Sequence, residues 1–290
     1  MAKAKAQKGT MQNVKTEGKK VAKDAAYSPL MDHLTRLGYG IKGVIYILIG
    51  VIALQSAFGK SRTPADQIGA IVAISKLPYG HIVLWIVIIG LVSYSVWGLI
   101  RAFLDPFHKG TDLDGLLARG GFLVSAATYA FLVVPTYDLI HGASKGTQTG
   151  NTQKMVATLV SMPWGSLLVG ILGVAGIAAG IYQIYIGINS KFEKRFKPYA
   201  LTPEQLKIAK QIGRFGTIAR GIVFALVGFF FCLAAIYANP RQAKTFDGAL
   251  DFLAKQPYGL WVLGIIAFGL IAFGIYSLIS AAWFRLKQSG

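Results

Sequence analysis

Apolar residues fall into six long blocks, 38–58, 81–103, 120–140, 165–188, 216–238 and 259–284, separated by short polar stretches. Each block is about as long as the roughly 20 residues a helix needs to cross a bilayer. In lipid the backbone must satisfy its own hydrogen bonds, so all six blocks predict α-helices. Shorter patterns lie between them. Thr63-Pro64 reads as an N-cap followed by a first-turn proline. Ile68, Ile71, Val72 and Leu77 behind it predict a short helix lying flat on the outer surface. Thr202-Pro203-Glu204-Gln205 has capping-box spacing. Leu206, Ala209 and Ile212 give the short inner helix it opens an apolar face.

The blocks are copies of one another. Arg36, Gly38, Lys42, Gly43, Tyr46 and Gly50 return with the same spacing as Arg214, Gly216, Arg220, Gly221, Phe224 and Gly228, shifted by 178 positions. Arg119, Gly121, Ser125, Ala126, Tyr129 and Val133 form a weaker copy, shifted by 83. The second half of the unit repeats too. Gly69-Ala70-Ile71 and Pro78-Tyr79-Gly80 match Gly248-Ala249-Leu250 and Pro257-Tyr258-Gly259, and the middle copy keeps Pro163-Trp164-Gly165. Proline there ends the preceding helix, and the aromatic after it suits the headgroup level. Repeats of this kind settle the architecture first: an all-α polytopic membrane protein, six transmembrane helices arranged as three tandem helical hairpins. Each unit enters and leaves on one side, so the copies are parallel repeats, which predicts pseudo-threefold symmetry about the membrane normal. The expected divisions are a basic tail over 1–27 and hairpin repeats over 28–107, 108–192 and 193–290.

These residues resemble the bacterial membrane family known as domain of unknown function 1206. The resemblance rests on the Arg-x-Gly start, the Gly-Ala-Leu to Pro-Tyr-Gly middle and the Gly-Leu-x-x-Phe/Tyr-Gly second helix. It covers nearly everything but the tail. Copy two departs, with Ser125 for the basic residue and Ala126 and Val133 for glycines. The family carries no established activity, so the resemblance implies a fold and a bacterial cytoplasmic membrane, and leaves function open.

Composition agrees. The chain is 54% hydrophobic with mean hydropathy +0.52, and 14% of its residues are charged, against about 25% in soluble domains. The net charge of +18 does not point to nucleic acid, because it sits in the tail and in the loops between blocks. With the N-terminus inside, 20 Lys and Arg fall on the inner side and 8 on the outer, and Lys42 and Arg220 sit at the inner face. That bias predicts both termini in the cytoplasm. The basic tail has no apolar core of its own and is not a signal peptide. A single cysteine, Cys232, excludes an internal disulfide and a Cys-rich metal centre.

Candidate chemistry is sparse. No catalytic motif occurs, the four histidines are scattered, and neither a metal site nor a cofactor is expected. No charge is expected near the centre of a span. The sharpest positions are Lys42 and Arg220, read as first-turn residues of their helices, with Arg36, Arg119 and Arg214 beside them. They suit an anion such as a lipid headgroup phosphate, with partial positive charge from the helix N-terminus; the plainer reading is snorkelling anchors. Gly43, Gly50, Gly221 and Gly228, with Gly173, Gly176 and Gly180, mark faces for close helix packing, Ala126 marking that face in copy two. Gln183, Tyr182 and Tyr185 are expected to bond a neighbouring helix. Pro135 is expected to interrupt the third span, ahead of a polar loop over 142–153. Gln55, Asp138 and His141 then outline an outer polar cavity, a frayed helix end being the simpler account. The reading as a whole is a non-enzymatic scaffold or accessory subunit engaging membrane lipids, anionic ones first, or another membrane protein. A channel or transporter for a small solute is the alternative.

Overall fold

The computed structural model describes residues 29–59, 63–105, 110, 112–142, 148–189 and 202–283. The basic tail and the basic stretch over 190–201 lie outside the described residues. The rest forms α1 (Pro29–Ala57), α2 (Gln67–Ser75), α3 (Gly80–Phe103), α4 (Leu113–Ile140), α5 (Gln148–Val160), α6 (Gly165–Ile188), α7 (Pro203–Ile236), a 3-10 turn (Pro240–Gln242), α8 (Phe246–Ala254) and α9 (Gly259–Trp283). Six of these, α1, α3, α4, α6, α7 and α9, are long and apolar enough to span a membrane. The short helices α2, α5 and α8 each join the two long helices of a repeat. They lie together at one end of the bundle, called here the capped end; the opposite one is the tail end.

Several boundaries differ from the sequence reading. Helix α1 starts at Pro29, well ahead of residue 38. The short helix opened by Thr202 and the fifth span are one helix, α7, of 34 residues. At 1.5 Å per residue that is about 50 Å, more than a hydrocarbon core of about 30 Å, so its first turns project beyond the bilayer. The capping box itself is present. Thr202 Oγ1 accepts from Gln205 N at 3.3 Å, and Gln205 Oε1 accepts from Thr202 N at 3.1 Å. At α2 the cap is Asp66 rather than Thr63. Its Oδ1 accepts from Gly69 N at 2.7 Å, the usual bond of an N-cap side chain. Helix α4 runs on through Pro135 to Ile140, and α5 occupies part of what reads as a polar loop.

The Pro-aromatic-Gly motif makes the same turn three times. Tyr79, Trp164 and Tyr258 each hold a positive φ of 60–68°, a left-handed state that costs a non-glycine residue roughly 1–2 kcal/mol. The following glycine bonds back across the turn, Gly80 N to Leu77 O, Gly165 N to Met162 O and Gly259 N to Gln256 O. A Cβ at Gly80 would lie 2.4 Å from Ser75 O, and one at Gly259 2.3 Å from Ala254 O. Only glycine fits there, because the ending helix turns its carbonyls onto the starting one. The three aromatic rings stay about 80% exposed, as side chains at a membrane interface do.

The long helices form an open ring in the contact order α4, α3, α1, α9, α7, α6. The tightest packing lies between repeats. The first helix of each repeat lies along the second helix of the repeat before it: α1 on α9, α4 on α3, α7 on α6. Glycine is the reason. A Cβ on Gly43 would sit 2.8 Å from Gly274 O, and one on Gly221 2.8 Å from Gly180 O. Gly50 faces Ala267 O and Gly228 faces Gly173 O, both at 2.6 Å, while Gly176 lies against Gly228. In copy two the corresponding contact is Ser95 Oγ donating to Ala126 O at 2.9 Å. The three equivalent contacts give the ring its pseudo-threefold symmetry. Copy two departs furthest, since α4 and α6 do not pack along their lengths, and these two helices bury the smallest shares of their spans.

Candidate functional site: a cationic core lined by aromatic rings

Each first helix carries the same stripe, at spacings i, i+3 and i+7, and hence on one face. It reads Tyr39-Lys42-Tyr46 on α1, Phe122-Ser125-Tyr129 on α4 and Thr217-Arg220-Phe224 on α7. Helix α3 adds Tyr94, Trp97 and Arg101 at the same spacing, and α9 adds Phe273 at the position matching Tyr94. These faces turn into the ring.

Lys42 is 6% exposed, and its Nζ donates to Tyr94 Oη at 2.9 Å. The ammonium lies 4.9 Å from the Tyr94 ring centroid, 5.1 Å from Phe273 and 5.9 Å from Tyr39. Arg220 Nε donates to Tyr46 Oη at 2.8 Å, and its Nη1 to Gln183 Oε1 at 3.0 Å. The guanidinium lies 4.7 Å from both Phe224 and Phe273. Arg101 is 4% exposed and donates from Nη1 to Tyr39 Oη at 3.3 Å. Its Cζ is 4.5 Å from Phe122, 5.5 Å from Tyr94 and 5.6 Å from Trp97. Tyr94 interacts electrostatically with all three cations.

None of the three pairs with a carboxylate among the described residues, whereas Arg36 pairs with Asp32 and Lys255 with Asp251. Removing a cation from water costs several kcal/mol. Each aromatic face returns about 0.5–2 kcal/mol, and each hydrogen bond to a charged group about 1.5–3 kcal/mol. Those partners go far to hold one cation each. They leave the mutual repulsion of the three uncompensated by any carboxylate among the described residues.

The expected site residues separate here. Lys42 and Arg220 converge on the core, but not as first-turn residues. They lie roughly three and a half and nearly five turns into α1 and α7, too deep for help from a helix terminus, and both point inward. Charge therefore does stand well inside two spans. Arg36 pairs with Asp32 at 3.1 Å. Arg119 closes the end of α3, with Nε donating to Ala102 O at 2.6 Å. Arg214 is exposed. Sequence reasoning missed Arg101, taking it for the flank of a loop. Its signal was the aromatic spacing upstream of it on α3. Gln183 meets the neighbouring helix, as expected of it. At the capped end Gln55 and His141 are exposed and Asp138 is half-buried. The polar group that forms there is a different one. Asp66 is fully buried, and the hydroxyls of Thr149 and Thr245, 2.8 Å apart, both reach Asp247 Oδ1. Burial first, and then the neighbouring Asp247, push the Asp66 carboxyl up to about 7.

A family model described as Domain of Unknown Function (DUF1206) matches the chain three times, over residues 37–105, 120–189 and 215–283. The chain is also 34% identical over 255 residues to the "Uncharacterized protein YxxB" of Bacillus subtilis (strain 168), covering 88% of this chain and 92% of that protein. No solved structure matches. The three matches follow the three repeats seen in the bundle, and the chain belongs to the DUF1206 family.

Proposed function

We propose that this member of the DUF1206 family is a non-enzymatic accessory or scaffold protein of the bacterial cytoplasmic membrane, which engages anionic lipid through its cationic core. The observation that carries the reading is three cations turned into the bundle, Lys42 and Arg101 buried and Arg220 half-buried, with no carboxylate paired to them among the described residues. The groups around them are aromatic rings, tyrosine hydroxyls and one amide, which hold the cations in place and offer little as nucleophile or base. Spans that bury ionisable groups without partners are functional sites by default. The unpacked flank between α4 and α6 supports a lipid as ligand, because an acyl chain can lie there while the headgroup reaches inward. The basic bias of the tail end supports a headgroup of the inner leaflet.

The test is lipid retention. Lys42→Gln combined with Arg220→Gln, purified in mild detergent and weighed by native mass spectrometry, is expected to lose bound acidic phospholipid while the bundle stays folded. Equal retention in the folded double variant returns both residues to a structural role.

A further inference from the structure

The charge that answers an anion most directly is one the repeat pattern does not contain. Arg101 stands on α3 alone; the matching positions on α6 and α9 are Ile186 and Ser280. Its Nη1 is used, bonded to Tyr39 Oη. Its Nε and Nη2 are buried and hydrogen-bonded to no acceptor among the described residues. These two nitrogens form one edge of the planar guanidinium and present two parallel N–H groups. That edge matches two oxygens of a carboxylate or phosphate. The rings of Phe122, Tyr94 and Trp97 pack around the group. A ring stacked on the guanidinium face satisfies its charge in part and leaves the edge donors unfilled. The ammonium of Lys42 shares Tyr94 with Arg101. The two cations thus flank one tyrosine, with no carboxylate paired to either among the described residues.

We infer that the Nε and Nη2 fork of Arg101 anchors an oxyanion, a phosphate or carboxylate, at the tail end of the bundle between α1, α3 and α4, with Lys42 supplying the second charge. The site rests on the reading of the core as anion-binding, and it names the chemistry and the anchor. Depth agrees. Arg101 lies two residues before the last residue of α3, at the level of a headgroup rather than of the acyl chains. Arg119, bonded to Ala102 O, ties the start of α4 across that end of α3 and fixes Phe122 over the guanidinium. Two sources offer this chemistry, a phosphomonoester lipid headgroup and free inorganic phosphate.

The experiment compares wild type, Arg101→Lys and Arg101→Gln, each as the full chain in detergent. One arm adds vesicles of phosphatidic acid in phosphatidylcholine and counts retained phosphatidic acid by native mass spectrometry. The other adds inorganic phosphate and follows the thermal midpoint. Lysine keeps the charge and loses the fork, so both variants are expected to bind at least about tenfold more weakly than wild type. Arg101→Lys also keeps the inference testable if the glutamine variant fails to fold. Response in the vesicle arm alone identifies a lipid source and in the phosphate arm alone a free anion, and either supports the site if Arg101→Lys abolishes it. Wild-type binding by Arg101→Lys overturns the fork. If that happens while Lys42→Gln with Arg220→Gln still sheds acidic lipid, the anchor is wrong and the anionic core stands. No binding by wild type in either arm overturns both.

Discussion

Gly228 and Gly264 set up a controlled comparison, since the same substitution at each meets opposite surroundings. A Cβ at Gly228 on α7 would lie 2.4 Å from Ile177 N and 2.6 Å from Gly173 O, both backbone atoms of α6. Neither can rotate aside, so α6 has to move. Overpacking of this kind costs about 1–3 kcal/mol. A Cβ at Gly264 on α9 meets nothing within 4 Å. Alanine there only removes the glycine helix penalty, worth about 1 kcal/mol in favour of the fold. Both changes remove that helix penalty, so Gly228→Ala and Gly264→Ala should differ by the overpacking cost alone, about 1–3 kcal/mol, with Gly228→Ala the less stable. At about 2–4 °C per kcal/mol for a chain of this size, the Gly228→Ala midpoint in one detergent should lie about 2–12 °C below that of Gly264→Ala. The assay is loss of the monodisperse size-exclusion peak after heating. Gly50→Ala, facing Ala267 O at 2.6 Å, should fall with Gly228→Ala. A Gly228→Ala protein melting at or above Gly264→Ala would refute the claim that backbone contact across α6 and α7 holds the repeats together.

Two further outcomes follow from the ends of the bundle. In a Cys232→Ser background, Ser161→Cys at the capped end should react with an impermeant thiol reagent on intact cells, and Lys207→Cys at the tail end only after permeabilisation; the reverse pattern overturns the orientation expected from charge. Asp66, pushed up to about 7 from 3.8 by burial and Asp247, holds its proton in the folded state after the unfolded chain has lost it. Its contribution to stability is complete below about pH 3.8, declines as pH rises and is gone above about pH 7. Melting in detergent should therefore drop between about pH 4 and about pH 7, and Asp66→Asn should flatten that drop; an unchanged profile removes Asp66 as its source.

The fold was legible because lipid leaves few choices. Six apolar blocks have to be helices, and the repeats at Gly43 and Gly221 have to bury equivalent faces if the copies share one structure. The Pro-aromatic-Gly turns and the Thr202 capping box were legible for the same reason, since each is a local constraint set by neighbours in the chain. Helix starts were not. Residues 29–37 and 203–215 mix polar and apolar positions, and hydropathy cannot tell a helix leaving the bilayer from a loop beside it. The structure extends α1 and α7 through them, which moves Lys42 and Arg220 from the membrane surface into the bundle. Only the tertiary structure decided that each first helix packs on the preceding repeat, and that α4 and α6 stay apart. Only it brought Arg101 to Tyr39 and Lys42. Those contacts join residues about 50–60 positions apart on different helices. Spacing along the chain sets which residues share a helix face; which face meets which depends on how closely two backbones can approach, and here glycine decides it.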